Sequence, residues 1–269
     1  MLMYPKHDLY EKYKSKAKID RFSSSLPNVT SYSTLQNINY AINLCEKWDH
    51  CTDIGGGSGH YLSALVEKFK KGTLVEVEKL PEHSLLESKA SNIKIIHSFI
   101  EDYQTSEKTD FILLADIFEH IPDIKKFVSK ISTMQNTGGV IYIMTPNPVY
   151  CGPAPESGLY YTRHPNGHIK HYTTNEICDH MKNSGYRLEL SFYEETELRQ
   201  KIKWYIFGVS RYDKSLRNNF LYQIIRPLVL LINYPIFYFL GKISHWSETK
   251  NRHNELTAMT QNLVFKKVE

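Results

Sequence analysis

The sequence predicts an α/β protein with a seven-stranded, mostly parallel sheet, helices on both faces, an antiparallel final strand and a helical insertion before that strand. Three observations predict it. A glycine-rich turn, 53–59, joins a short apolar run to an amphipathic helix. Strand-like and helix-like segments then alternate as far as residue 193. Finally, two strand-like segments flank a long apolar stretch near the carboxyl end.

Length and composition indicate one large domain with a substantial insertion. The chain has 269 residues, of which 41% are hydrophobic, and a net charge of +4 that does not by itself predict a nucleic-acid partner. Its four cysteines form no C-x-x-C pair, which argues against a disulfide framework or a zinc site. Because no signal-peptide pattern precedes the first helix, we expect a cytoplasmic protein, with peripheral contact to the inner face of the membrane left open.

We divide the chain into four parts. Residues 1–47 are predicted to be an arm and a cap helix, 48–193 the core, 194–261 a helical insertion or lid, and 262–269 the final strand. The remaining elements of the core follow from their periodicity. Strands are predicted at 73–78, 93–97, 110–116, 139–144 and 188–193, and helices at 82–88, 121–134 and 174–183.

The glycine-rich turn reads D-x-G-x-G-x-G, formed by Asp53, Gly55, Gly57 and Gly59. It does not match the dinucleotide pattern G-x-G-x-x-G, because residue 60 is His. Glycine allows a ligand to approach the backbone more closely than a Cβ atom would permit, and it adopts unusual φ angles. Such a turn is also found as a purely structural feature, so other motifs must decide between the two interpretations.

Glu78 is predicted to end the second strand, L-V-E-V-E. A carboxylate at this position can accept two hydrogen bonds from a ribose diol. The alternative is a solvated charge at the end of a strand. Glu76 competes for the same role, but the strand period of two directs it to the other face.

After the third strand, Phe99 and Ile100 are placed to sandwich an adenine ring, with ordinary core packing as the alternative. The fourth strand ends A-D-I-F-E-H, so Asp116, Glu119 and His120 cluster at a carboxyl end. Open α/β sheets bind their ligands at this edge.

Two further motifs follow, T-P-N at 145–147 and H-I-K-H-Y-T at 168–173. The ordered set from Asp53 to Tyr186 resembles the class I S-adenosylmethionine (SAM)-dependent methyltransferases, and within them the branch of ubiquinone-pathway and sugar O-methyltransferases. This resemblance covers about half of the chain and implies a Rossmann-like fold with SAM as cofactor. By position it also implies residue roles. Asp53 would face the methionine amino group, Gly55, Gly57 and Gly59 would pass under the cofactor, Glu78 would hold the ribose, Ile100 would flank the adenine, and Asp116 would lie beside the methionine end.

An alcohol acceptor must lose a proton when it is methylated, which is a task suited to histidine. The candidate catalytic residues are His120, His171 and His168, each with a packed or capping histidine as the alternative. A divalent metal is a second hypothesis, with Asp116, Glu119 and His120 as candidate ligands. A histidine of the predicted loop 148–172, among His164, His168 and His171, would complete the site, and His171 is the first choice. This pattern resembles the metal-binding set of RNA 3′-end 2′-O-methyltransferases. A metal there would chelate a vicinal diol and acidify one hydroxyl.

The apolar stretch 220–243 approaches the length of a membrane span, but Gln223, Arg226, Asn233 and two prolines interrupt it. We weigh an interfacial or lid helix pair that touches a lipid-linked acceptor against helices packed on the core or on a dimer partner.

The function expected from all of this is methyl transfer to a hydroxyl of a sugar or glycan, either free or lipid-linked. Two alternatives are methylation of a phenol or other small metabolite, and a non-catalytic SAM-binding scaffold subunit. Nucleic acid is disfavoured as acceptor, since the basic residues of the carboxyl-terminal region are mixed with long apolar runs. A homodimer remains open.

Overall fold

A computed structural model describes residues 32–151, 168–202 and 220–269. Three sequence predictions lie outside the described residues: the arm before residue 32, the middle of the loop 148–172 with His164, and residues 203–219 of the insertion.

The seven strands form one sheet in the order β3-β2-β1-β4-β5-β7-β6. All neighbours from β3 to β5 pair in parallel, whereas β7 runs antiparallel to both β5 and β6. The predicted fold class, with its antiparallel final strand, is therefore confirmed. The strands are β1 His50–Ile54, β2 Lys71–Glu76, β3 Ile93–His97, β4 Thr109–Ala115, β5 Gln135–Pro146, β6 Tyr186–Thr196 and β7 Ala258–Lys267.

Helices surround the sheet on both faces. They are α1 Tyr32–Ile42, α2 His60–Leu65, α3 Pro81–Lys89, α4 Ile124–Met134, α5 Thr174–Lys182 and α6 Phe220–Lys250. Helix α5 begins with the predicted cap, because the Thr173 side chain accepts from the Glu176 N–H and Glu176 accepts from the Thr173 N–H in return. This reciprocal capping fixes where the chain leaves the histidine-rich segment before it.

The core has two layers, one on each face of the sheet. Successive residues of β4 alternate between them: Phe111 and Leu113 pack against the layer of α1 and α2, and Ile112 and Leu114 against that of α4 and α5. Because both faces are covered, the strand is a continuous apolar run rather than an alternating one. This burial fixes β1 and β4 side by side, and with them the edge that carries the candidate site.

Among the strand boundaries that differ from the sequence prediction, three affect the candidate site or the insertion. Strand β2 ends at Glu76 and not at Glu78. Strand β6 continues to Thr196 and β7 begins at Ala258, since these two residues still pair across the ladder. Both ends of the predicted insertion 194–261 are therefore part of the sheet. An alternating pattern in one strand alone does not reveal how far its partner extends.

The apolar stretch 220–243 lies within one helix of 31 residues, α6, rather than in a pair of helices, and residues 197–202 at the start of the insertion are also helical. Pro227 and Pro235 lie within it without ending it. In the parts of the chain that the structure describes, no helix is both long and apolar enough to cross a membrane.

A buried ionic cluster joins α6 to β6 and α1. The Arg199 guanidinium contacts Glu248 of α6 at 2.8 Å and Glu194 of β6 at 3.5 Å, and it donates to the Thr34 hydroxyl of α1 at 2.8 Å. All four side chains are buried. Burial raises the pKa of Glu194, while the Arg199 charge opposes that shift. The cluster therefore depends on a single arginine to compensate two buried carboxylates.

Candidate functional site

The glycine loop leaves the carboxyl end of β1 and turns into α2. Gly55, Gly57 and Gly59 have φ angles of 68°, 54° and 73°, which lie in the region that side chains disfavour. The Gly55 N–H donates to the Val75 carbonyl at 2.8 Å, so the loop is held against β2. A Cβ atom placed on Gly57 would meet no described atom within 4 Å. The loop thus borders open space of the kind that a cofactor needs.

Asp53 lies beneath this loop, where a Cβ atom on Gly56 would overlap its carboxylate. It is 1% exposed, and neither carboxylate oxygen has a hydrogen-bond partner among the described residues. The pKa of Asp53 is raised to about 7, mainly by burial and secondly by the charge of Glu76. The backbone amide of Leu62 lowers this pKa, but by less than the other two effects raise it. A buried carboxyl without a partner, aimed at a glycine loop, fits the amino group that the sequence resemblance assigns to it.

Glu76 does not point away from the loop, as the strand period had suggested. Its carboxylate accepts from the Gly57 N–H at 2.9 Å and from the Glu78 N–H at 3.1 Å. His83 contacts the carbonyl of the same residue, because its Nε2 lies 2.8 Å from the Gly57 carbonyl oxygen while its Nδ1 accepts from the Leu80 N–H. Glu78 is half-buried in the bend after β2, and its role at the ribose stays a prediction.

The proposed adenine pair is divided between core and surface. Ile100 is 6% exposed and belongs to the same apolar cluster as Ile54 and Val75. Phe99 is half-buried, and its carbonyl accepts from the Tyr103 N–H at 3.0 Å. Contact of these two residues with an adenine ring therefore stays a prediction, with core packing as the observed role of Ile100.

The turn after β4 lies directly against the glycine loop. A Cβ atom on Gly55 would meet the Ile117 side chain of this turn at 2.6 Å. Asp116, at the start of the turn, is exposed and has a φ of 53°, which is unusual for a residue other than glycine. Its N–H donates to the Met144 carbonyl at 2.9 Å, which fixes the turn to β5. The residues that follow Asp116 therefore lie at the same edge of the sheet as the glycine loop.

Glu119 lies in this turn and is 1% exposed. Its Oε2 accepts from the Thr145 hydroxyl at 3.0 Å, whereas its Oε1 has no hydrogen-bond partner among the described residues. Burial, and then the charge of Asp116, raise the pKa of Glu119 to about 8. Glu119 therefore holds its proton to a higher pH than an ordinary glutamate does, and a cation that binds there has to displace it.

Two buried histidines continue from Glu119. His168 Nε2 lies 3.9 Å from Glu119 Oε1, and His168 Nδ1 lies 2.7 Å from His171 Nε2. The backbone brings them there, because the Ile169 N–H donates to the Glu119 carbonyl at 2.8 Å. The ring of His120 meets that of His168 edge to face, with centroids 4.7 Å apart. All three predicted catalytic histidines thus converge on one carboxyl group.

Among the described residues, Glu119, His120 and His168 place one ligand atom each within 4.8 Å of one another. This set differs from the first choice of metal ligands in two places. Of the candidate loop histidines that the structure describes, His168 is the one beside Glu119, whereas His171 bonds through its Nε2 to His168 Nδ1, on the side of that ring away from Glu119. Asp116 stands outside the group and acts on it through its charge.

Sequence reasoning missed Thr145 and the true position of Glu76. Thr145 was seen only as part of the T-P-N motif, and nothing in that motif indicates that its hydroxyl meets Glu119. Each contact joins the end of one strand to the loop or turn that follows the neighbouring strand, so both depend on how the strands align rather than on spacing along the chain.

Comparison with known proteins agrees with this geometry. Residues 19–191 match the family model described as a methyltransferase domain. A comparison with curated proteins finds no match.

Three solved structures share the fold at low identity. A SAM-dependent methyltransferase from Archaeoglobus fulgidus is 15% identical, with 87% of this chain and 93% of that chain covered and a TM-score of 0.52. Coclaurine N-methyltransferase, bound to N-methylheliamine and SAH, is 15% identical, with 87% of this chain and 72% of that chain covered and a TM-score of 0.55. A SAM-dependent methyltransferase from Clostridium acetobutylicum is 12% identical, with 89% of this chain and 92% of that chain covered and a TM-score of 0.51.

The matched residues include the glycine loop, Asp53 and the Glu119 turn, and they make up more than half of the sequence. The chain therefore belongs to the methyltransferase domain family and is a SAM-dependent methyltransferase.

Proposed function

We propose that this enzyme transfers the methyl group of SAM to a hydroxyl of a sugar or glycan. One observation carries the proposal: the buried Glu119, with an unpartnered oxygen, and His120 lie in the turn that contacts the glycine loop, and His168 comes to them from the segment before α5. An oxygen acceptor must lose a proton as it is methylated, and the two histidines are suited to receive it. The motifs of the sugar O-methyltransferase branch support the choice of acceptor.

Bound SAM supplies a methyl group that is already electrophilic. The protein then has to bind this cofactor and hold an acceptor oxygen in line with it. We assign the methionine amino group to Asp53, the close passage of the cofactor to Gly57, and the ribose to Glu78. Asp53 has the chemistry for this role, since its carboxyl is buried without a partner beside the loop.

The proton of the acceptor hydroxyl passes to His120 or His168. The bond between His168 Nδ1 and His171 Nε2 lets a proton shift between two buried rings, so charge need not build up on one of them. On the other side of the ring, His168 Nε2 faces Glu119 Oε1 at 3.9 Å. His171 is in this arrangement a positioning residue and not a direct base.

As a second candidate, we propose that a divalent cation binds to Glu119, His120 and His168, in which case these histidines would be ligands and the cation would take the place of a histidine base. Such a cation would supply Lewis acidity toward a vicinal diol of the acceptor. The residues fit it, because Oε1 of Glu119 is buried without a partner among the described residues and the three ligand atoms lie within 4.8 Å of one another. The bond from His168 to His171 is the outer contact that orients a metal-binding imidazole.

The experiment has two steps. Calorimetry with SAM and with its demethylated product measures cofactor binding, and a methyl-transfer assay then presents separate panels of glycans and of phenols. We expect SAM binding together with turnover of glycans alone. Turnover of phenols alone would contradict the glycan proposal. SAM binding without turnover of either panel would contradict methyl transfer to hydroxyls and favour the scaffold alternative.

A matched pair of variants tests whether methyl transfer depends on the candidate site. Glu119→Gln removes the buried carboxyl, whereas Glu189→Gln changes a carboxylate of β6 that pairs with Arg187 near the surface. We expect a loss of about 100-fold or more in turnover for the first variant, and an unchanged rate for the second. Equal rates in the two variants would remove Glu119 from the reaction.

A further inference from the structure

Helix α6 carries an apolar stripe on its solvent side. The stripe consists of seven residues: Leu221, Ile225, Leu228, Ile232, Ile236, Phe239 and Trp246. The first six follow one another at intervals of three or four residues, and Trp246 follows two turns after Phe239. This spacing places them on one face of the helix. Each is between 46% and 70% exposed, whereas Phe237, Ser244 and Glu248, on the opposite face, are buried. A row of this length goes beyond the scattered apolar residues that are normal on a surface.

The charges of α6 are almost all of one sign. The helix contains one acidic residue, Glu248, and its carboxylate is buried against Arg199. Lys242 Nζ lies 4.6 Å from the Tyr238 ring centroid, and Lys250 Nζ lies 3.9 Å from that of Trp246. The solvent side of the helix therefore combines apolar side chains with cations that stand over aromatic rings.

This combination is typical of a helix that lies in a membrane interface. Apolar side chains enter the acyl region, aromatic rings occupy the headgroup level, and lysines reach the phosphates. We propose that the stripe docks this enzyme on the surface of an anionic lipid bilayer. Since no described helix is long and apolar enough to span a membrane, α6 would lie along the surface.

A second copy of the chain fits the stripe less well. Helix pairing would need charges of both signs beside the apolar seam, and the one acid of α6 is buried elsewhere. Pro235 is also exposed, beside Ile236 in the middle of the stripe. An anionic bilayer supplies the missing negative charge and tolerates the irregular surface.

The buried cluster around Arg199 gives the docking a defined orientation. It fixes the carboxyl half of α6 to β6 and α1, and the stripe continues along this anchored half to Trp246. A bilayer that binds the stripe would therefore bind the whole enzyme in one orientation. The proposal does not depend on which hydroxyl is methylated.

Flotation of the full chain with lipid vesicles tests the proposal. One set contains phosphatidylcholine alone, and the other contains phosphatidylcholine with phosphatidylglycerol. The test variant is Ile232→Glu with Phe239→Glu, and the control is Leu85→Glu, an apolar residue of α3 that is 54% exposed. We expect binding to the anionic vesicles, weakened about tenfold or more in the test variant, unchanged in the control, and weaker at high salt. Calorimetric SAM binding confirms that all three proteins are folded.

Three results would overturn the proposal: no flotation of the unmodified chain with anionic vesicles, equal flotation of the test variant, or equal binding to both vesicle types at every salt concentration. A fourth such result would come from sedimentation velocity. A dimer that the test variant converts to a monomer would assign the stripe to self-association instead.

Discussion

His168 Nδ1 lies 2.7 Å from His171 Nε2, so one hydrogen bond joins two buried imidazole rings beside the Glu119 carboxyl. The bond fixes the orientation of the His168 ring and leaves its Nε2 facing Glu119. One ring thus has a defined inner side, toward the carboxyl group, and a defined outer side, toward His171. The predictions on catalysis, metal binding and pH dependence start from this arrangement.

The first prediction concerns His171 as a positioning residue. His171→Phe keeps an aromatic ring but removes the hydrogen-bond partner of His168. We expect turnover to fall between about 10-fold and 100-fold, as is usual for the outer partners of a site histidine, with SAM affinity unchanged. Steady-state kinetics and calorimetry measure the two quantities. His253→Phe, at an exposed histidine, should leave both unchanged, and a loss of SAM affinity in His171→Phe would mean that its role is structural.

The second prediction concerns the metal. Because the pKa of Glu119 is raised to about 8, a cation must displace a proton below that pH, and its affinity should rise as the pH approaches about 8 and then level off. Titration with Mn²⁺, followed by electron paramagnetic resonance, measures this. Glu119→Gln should bind weakly and without that pH dependence. Full activity after EDTA treatment and dialysis, with no change on adding Mg²⁺ or Mn²⁺, would contradict the metal proposal.

The third prediction concerns Asp53 and stability. Its pKa is raised to about 7 in the folded protein, so the folded state binds this proton more tightly than the unfolded chain does. Between the ordinary value of 3.8 and about 7, stability in the absence of SAM should fall as the pH rises, and then become level. Asp53→Asn should lack this decrease, which is on the order of a few kcal/mol, and should be the more stable protein at pH 8.

Denaturant unfolding of the unmodified protein and of the Asp53→Asn variant across this pH range provides the measurement. The same variant should bind SAM poorly, because an amide does not pair with an ammonium group as a carboxylate does. If stability depends on pH with the same slope in both proteins, the Asp53 carboxyl group titrates normally.

The fourth prediction separates backbone strain from ligand contact. Gly57→Ala and Gly138→Ala both place a side chain at a positive φ, 54° and 79°, so each should cost about 1 kcal/mol of stability. Gly57 borders the open space at the loop, whereas a Cβ atom on Gly138 would meet the Glu46 side chain. We therefore expect Gly57→Ala alone to weaken SAM binding, measured by calorimetry. Equal SAM affinities would mean that the cofactor does not pass close to Gly57.

The fifth prediction concerns the buried cluster. Arg199→Met leaves Glu194 and Glu248 buried without their cation, and we expect a loss of about 3–5 kcal/mol in the free energy of unfolding. The control is Lys201→Met, which breaks an exposed pair with Glu197 and should cost less than about 0.5 kcal/mol. Denaturant unfolding measures both. A small loss for Arg199→Met would mean that the two glutamates take up protons at little cost.

The sequence was sufficient to predict the order of the elements and the edge of the sheet that carries the site. Alternation of apolar runs predicted the strands, and D-x-G-x-G-x-G predicted the loop, because both signals are local. Two positions could not be settled from the sequence because they depend on how separate segments align. Glu76 faces the loop because it ends β2, and His168 rather than His171 meets Glu119 because the backbone at Ile169 pairs with it.

The Arg199 cluster was not predicted at all. Thr34, Glu194 and Glu248 lie on α1, β6 and α6, which are distant along the chain, and Arg199 lies just after β6. Each of them resembles an ordinary surface residue when only its neighbours in sequence are considered. A buried charge is recognised only once folding has brought its partner to it.

The position of β7 also sets the order in which this protein can fold during its synthesis. Strand β7 is the last of the seven to leave the ribosome, yet it lies between β5 and β6. Strand β6 is therefore completed more than 60 residues before its sheet partner exists. Until then the edge of β5 stays unpaired, and such an edge is a site of aggregation. This enzyme should consequently depend on chaperones more when its translation is slowed after residue 196 than when it is slowed earlier.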